Sequence, residues 1–290
     1  MTAVAERLEV TEPGVYDLPD EVYHADPVPG GSLSSSGAKL LLPPNVPALY
    51  RWRLDHPAPP KREYDLGHAA HKLVLGTGPT LAVVDADSWR TKAAKQEAAE
   101  ARAAGEVPLL AHEHAEIKAM AEALARHPLA VRLFDPAHGR AEQSLFWQDD
   151  EFGVWRRARL DWLPDGISSA GRLIIPDYKT CDRADAESIR KAVARYGYHQ
   201  QRAWYDDAAR AVLGYEQVAF LFVFQERTAP YLVHVVELDV EAVREGRHLN
   251  RQALGIYAEC TATGTWPGYS DHEPNLVDLP RWAITERKTW

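Results

Sequence analysis

The chain has few cysteines, no excess of basic charge and no long apolar run, and each shortage removes a class of protein. Only Cys181 and Cys260 occur among 290 residues. They form no CxxC pair, so a four-cysteine zinc or iron–sulfur site is excluded. Two isolated cysteines fit free thiols in a reducing cytosol. The formal net charge is −9, which argues against a generally cationic DNA-coating protein and leaves room for a local basic groove. The longest apolar run, VAFLFVF at 218–224, falls far short of the ~20 residues that cross a membrane. The opening MTAVAERLEV lacks the basic-then-apolar pattern of a signal peptide.

Two familiar motifs fail on spacing. GGSLSSSGAK has five residues between Gly31 and Gly37, followed by Ala38, where a phosphate loop has four and then Lys-Ser/Thr. His112 and His114 are two apart, and so point to opposite sides of a helix; a helical zinc site places its histidines four apart. His112, Glu113 and His114 therefore read as solvated.

What is present is a globular composition, 46% hydrophobic and 26% charged. Nine tryptophans and twelve tyrosines imply an aromatic-rich core or groove. Closely spaced Pro and Gly make residues 1–31 an extended arm, leaving 32–290 as a single domain. SLSSSGAKLLL begins a helix capped by Ser34 or Ser35, and PPNVP ends it. Residues 64–76 read as a helix with Leu66, Ala69, Ala70 and Leu73 on one face. Residues 88–104 and 110–126 read as surface helices. From 141 the period becomes two, giving three strands, AEQSLFWQDD, GVWRRARLDWL and RLIIPDYKT. A helical stretch broken at Gly197 follows, then strands QVAFLFVFQ and YLVHVVELD, a helix near 240–262 and an irregular tail. Strands among helices predict an α/β or α+β fold with a mixed central sheet.

On a strand, residues two apart share a face. Asp177 and Lys179 therefore project together, as do Arg157, Arg159 and Asp161. A symmetric hairpin around 164–170 would pair 161 with 177, and like charges ~5 Å apart repel. Lys179 or a divalent cation such as magnesium or manganese would relieve that repulsion. A surface ion pair is the plain alternative. Pro176 implies a bend that presents Asp177 and Lys179 at a cleft rim. Downstream, Gln201 and Tyr205 are four apart on one helical face.

The order of these features resembles the RecB-like branch of the PD-(D/E)XK nuclease superfamily. That branch combines a helical Gly-x-x-x-His, a strand Asp, an Asp/Glu-x-Lys strand and a helical Gln-x-x-x-Tyr. They fall here on Gly67 with His71, Asp161, Asp177 with Lys179, and Gln201 with Tyr205. Within the branch the chain resembles the RecE, or exonuclease VIII, type found in phages and prophages. SLSSSGAKLLLPPNVPALYRWR, FVFQERTAPYLVHVVEL and TGTWPGYSDHEPNLVDLPRWA carry that resemblance, which spans roughly residues 30 to 283. The four cysteines of its iron–sulfur relatives are missing.

The resemblance implies a restriction-endonuclease-like core and metal-dependent hydrolysis of duplex DNA from its ends, in the 5′→3′ direction, leaving 3′ overhangs for recombination. His71, Asp161, Asp177 and the Tyr178 carbonyl would hold Mg²⁺, or Mn²⁺ in its place, with no iron–sulfur cluster. Lys179 would orient water or neutralise developing charge. Gln201 and Tyr205 would hold the scissile strand, and Arg157 and Arg159 would contact phosphate. Glu142 stands open between an additional acidic ligand, a group that supports the ligands from behind, and a surface glutamate. A single-strand annealing protein as partner, a homo-oligomeric ring and a cytoplasmic location are implied as well, with no membrane association. The same site would also serve an endonuclease or flap nuclease, or a DNA-end-binding protein that no longer cleaves.

Overall fold

The computed structural model describes residues 8–56, 62–271 and 273–284. The first seven residues of the arm and the last six of the tail lie outside the described residues. The elements run β1 (Gly14–Tyr16), α1 (Asp20–His24), β2 (Leu33–Ser34), α2 (Ser35–Leu40), α3 (Pro47–Asp55), α4 (Arg62–Leu75), β3 (Leu81–Val84), α5 (Lys92–Ala103), β4 (Val107–Leu110), α6 (Ala111–Ala125) and α7 (Ala130–Leu133). Then come β5 (Gly139–Gln148), β6 (Trp155–Pro164), β7 (Leu173–Cys181), α8 (Ala186–Tyr196), α9 (Tyr198–Leu213), β8 (Val218–Glu226), β9 (Val233–Glu237) and α10 (Val240–Thr263). The order and mixed strand directions give the α/β class expected from the sequence. No described helix is long and apolar enough to cross a membrane.

Two sheets meet at a seam. One has the order β1-β5-β6-β2 and the other β7-β8-β9. β7 and β8 are parallel, with α8 and α9 forming the crossover, and β9 returns antiparallel. β6 and β7 lie side by side yet share no ladder. The expected hairpin pairing 161 with 177 is thus corrected: β6 gives its edge to β5 and β2, and the 165–172 connection lets β7 join β8 instead.

The seam also explains Pro176. Leu173 N–H bonds the Gln217 carbonyl on the β8 side, whereas Tyr178 N–H points toward Asp161 on β6. Peptide groups alternate along a strand, so the nitrogen of Pro176 faces the same way as that of Tyr178, where no ladder bond is lost. β7 runs unbroken through Pro176; the expected bend is not needed.

Helices cover both faces of the strands. On one side α2, α9 and α10 supply Ala38, Trp204, Ala208 and Leu254 to a core with Leu145, Leu160, Ile175, Phe220 and Phe222. On the other, Ala69 and Ala70 of α4 and Ile117 and Met120 of α6 pack on Tyr178 and Val223. The residues at 64–76 thus use the face read from their period. The "surface" helix at 110–126 is half-buried, and Glu113 is corrected from solvated to buried: it accepts from Leu110 N–H at 2.9 Å and from Trp89 Nε1 at 3.2 Å, closing the first turn of α6.

Local signals place the helices that matter. Ser34 caps α2, its Oγ accepting from Gly37 N–H at 3.1 Å. Gly197, at φ 64°, turns α8 into α9 in the left-handed conformation that glycine tolerates. Gly246 lets α10 cross α9 closely, since a Cβ there would fall 2.1 Å from the His199 carbonyl oxygen. The arm is less extended than its prolines and glycines imply. β1 pairs antiparallel with β5, a short helix follows, and Val10, Leu18, Tyr23 and Val28 pack on Phe146.

Candidate active site

The seam between β6 and β7 opens into a cleft of about 970 Å³, whose lining includes His71, Glu142, Arg159, Asp161 and Tyr205. The Tyr178 peptide is its fixed point. Tyr178 N–H donates to Asp161 Oδ2 at 2.8 Å, and the Tyr178 carbonyl lies 3.2 Å from His71 Nε2. The Tyr178 ring packs edge-on against the His71 ring, 5.3 Å between centres, and is fully buried, its hydroxyl donating to Gln225 at 2.6 Å. Two backbone groups thus face the cleft while the ring anchors them.

Asp177 and Lys179 flank this peptide on the opposite side chain parity. They form an ion pair, with Asp177 only 1% exposed. Gln201 Nε2 donates to Asp177 Oδ1 at 2.7 Å, and the Lys179 amine lies 5.5 Å from the Tyr198 ring. Burial opposes the charge on Lys179, but Asp177 and Asp161 outweigh it and hold the amine protonated well above lysine's usual value. Lys39, absent from the sequence reading, approaches the same group: it donates to the Tyr196 carbonyl at 2.9 Å, and burial with Lys179 lowers it to about 8.

Glu142 comes from β5, where the ladder with β6 skips one rung. Ala141 pairs with Trp162 and Gln143 with Leu160, but Glu142 and Asp161 between them do not pair. Glu142 sits at φ 54°, a left-handed conformation that costs a side-chain-bearing residue ~1–2 kcal/mol. Arg159 holds it, Nε to Oε2 at 2.6 Å.

Among the described residues one group of three could hold a metal ion: His71, Glu142 and Asp161, with ligand atoms all within 4.8 Å of one another. Glu142 Oε1 lies 3.9 Å from His71 Nδ1, and Asp161 Oδ2 lies 3.9 Å from His71 Nε2. The donors suit a hard cation with one imidazole. The electrostatics agree. Burial, then Asp177, pushes Asp161 up to about 7; burial, then Asp161, raises Glu142. Burial, then Lys179, lowers His71, leaving its ring neutral and able to donate a lone pair. Arg159 is paired with Glu142 and Lys179 with Asp177, so Asp161 has no ion pair with an arginine or lysine among the described residues, and the residues fit a divalent ion.

The residues expected from sequence divide unevenly. His71, Asp161, the Tyr178 carbonyl and Tyr205 line or face the cleft, and Gln201 reaches Asp177. Asp177 is outside the three-residue group, and Gln201 and Lys179 bond its oxygens. Arg157 and Arg159, expected to contact phosphate, are bonded within the chain. The Arg157 guanidinium is turned into the arm, bonding Asp26 at 2.5 Å and the Ser32 carbonyl at 2.6 Å. Arg159 is bonded to Glu142, the Leu18 carbonyl and Ser144 Oγ.

Residues 56–274 match the family described as "PDDEXK-like domain of unknown function (DUF3799)". The chain belongs to this family. A crystal structure described as a "putative exonuclease" from Eubacterium rectale is similar in fold, with a TM-score of 0.62 at 13% identity, covering 91% of this chain and 96% of that one. No curated protein matches the sequence.

Proposed function

We propose that this protein is a metal-dependent deoxyribonuclease that degrades duplex DNA from its ends, as the RecE type does, in the 5′→3′ direction and leaving 3′ overhangs. The observation that carries this reading is the convergence of His71 and Asp161 on the Tyr178 peptide, beside the Asp177–Lys179 pair. His71, Asp161, Asp177 and the Tyr178 carbonyl would hold the ion, Mg²⁺ or Mn²⁺. When bound, the ion supplies a water acidic enough to attack at neutral pH and stabilises charge on phosphoryl oxygens.

The chain's own residues do the rest. Lys179 stays charged and offers a donor to negative charge developing at the phosphate. Gln201 fixes the Asp177 carboxylate, and Tyr205 forms part of the wall along which the scissile strand would lie. Lys39 adds a second amine near the pair. Pairing with a single-strand annealing protein and assembly into a ring belong to the same reading.

The test is digestion of linear and covalently closed duplex DNA with Mg²⁺ or Mn²⁺, comparing wild type with Asp177→Ala and Lys179→Ala. Linear DNA should be degraded and the circle spared. Both variants should lose ~10²–10³-fold in rate, with Lys179→Ala still binding metal. Cutting of the circle would favour an endonuclease. End binding without cleavage under every metal would favour a protein that only binds DNA ends.

A further inference from the structure

Glu142 stands on the strand before Asp161, outside every motif that carried the family resemblance. Its placement is nonetheless the most constrained in the cleft. The β5–β6 ladder gives up its rung there, and the backbone takes a left-handed conformation without a glycine. That distortion is local, because the register is the same on either side of the gap. It turns Glu142 toward His71 and Asp161.

The spacing is informative. Glu142 Oε1 is 3.9 Å from His71 Nδ1, too far for a hydrogen bond. One donor atom from each of His71, Glu142 and Asp161 lies within 4.8 Å of the other two, the range that donors around one hard cation span. Only one carboxylate oxygen is taken: Arg159 Nε bonds Oε2, leaving Oε1 toward the histidine. Arg159 is itself fixed from the arm, through the Leu18 carbonyl at 3.0 Å, and from β5, through Ser144 Oγ at 3.0 Å.

We propose that Glu142 is a metal ligand of this site, and that Arg159, anchored by the N-terminal arm, is the positioning residue that presents it. This rests on reading the cleft as a metal-dependent active site. The arm is then a working wall of the site: it locks the guanidinium that locks the carboxylate. The role of residues 8–32 becomes the support of metal affinity rather than contact with DNA.

The experiment is Mn²⁺ binding followed by titration calorimetry on the full chain, with thermal melting of each variant as a check of folding. Glu142→Gln keeps the shape and the bond to Arg159 while removing the charge, and should weaken Mn²⁺ binding by about tenfold or more. Arg159→Gln should weaken it similarly, and the double variant should lose little beyond either single one. Wild-type affinity in a folded Glu142→Gln, with Asp161→Asn impaired, would overturn this inference while leaving the proposed function intact. Additive losses would overturn the coupling through Arg159. Failure of wild type to bind Mn²⁺ at all would overturn both.

Discussion

Strand β6 buries charge on both of its faces, and the two faces treat it differently. On one, Arg156 lies between the rings of Trp147 and Trp204, 4.7 and 4.1 Å from their centres, and meets Asp149 at 3.2 Å and Asp207 at 3.1 Å. Arg251 and Arg247 reach the same two aspartates from α10. On the other face, five residues further along, Asp161 shares its surroundings with Glu142 and Asp177. The first cluster gives both carboxylates arginine partners and fills its space with aromatic rings, so it holds the fold. The second pairs Glu142 with Arg159 and Asp177 with Lys179 but leaves Asp161, beside the cleft, without an arginine or lysine ion pair among the described residues, so it is poised for a cation. Burial alone does not mark a functional site; burial with charge left over does.

Breaking each face should give opposite results. Arg156→Ala should cost ~3–5 kcal/mol of stability, because two carboxylates lose their buried partner, while activity per folded molecule stays near wild type. Asp161→Asn should cost at least ~10²-fold in cleavage and leave the metal-free melting temperature unchanged or raised. Rate and thermal melting measured on the same preparations separate the two; a stability loss in Asp161→Asn as large as that of Arg156→Ala would erase the distinction.

A smaller effect sharpens the comparison through pH. The Asp161 carboxyl stands at about 7 in the folded chain against 3.8 as its ordinary value. A carboxyl raised on folding favours the folded state below its unfolded pKa, and that advantage is lost as pH rises through the folded one. Metal-free protein should therefore lose stability between about pH 4 and pH 7, and Asp161→Asn should flatten that slope in denaturant titrations. An unchanged slope in the variant would mean that Asp161 is not the group responsible.

Much of this was legible in the sequence because local periodicity carries it. The period of two from 141 onward gives the three strands, and Gly197 breaks the helices where φ turns positive. The same-face rule put Asp177 with Lys179 correctly. It also put Arg157 and Arg159 with Asp161 correctly, but not the bonds that hold them: Asp26, Ser32 and Leu18 lie more than a hundred residues away, and Glu142 and Ser144 reach Arg159 from β5. No local pattern shows that the arm returns. Nor does one show that β6 and β7 part into separate sheets, a choice made by competition between strand partners. Glu142 gave the weakest signal, for nothing in AEQSL announces a left-handed residue.

If a divalent cation binds on the Asp161 face of β6, where the carboxyl is raised to about 7, binding must compete with protonation of Asp161. Calorimetric titration of Mn²⁺ into the protein near pH 6.5, in two buffers of different ionisation enthalpy, counts that proton directly. The account predicts release of a substantial fraction of one proton for each ion bound, and its loss in Asp161→Asn. Tight binding with no proton released, or a release that Asp161→Asn leaves intact, would contradict it.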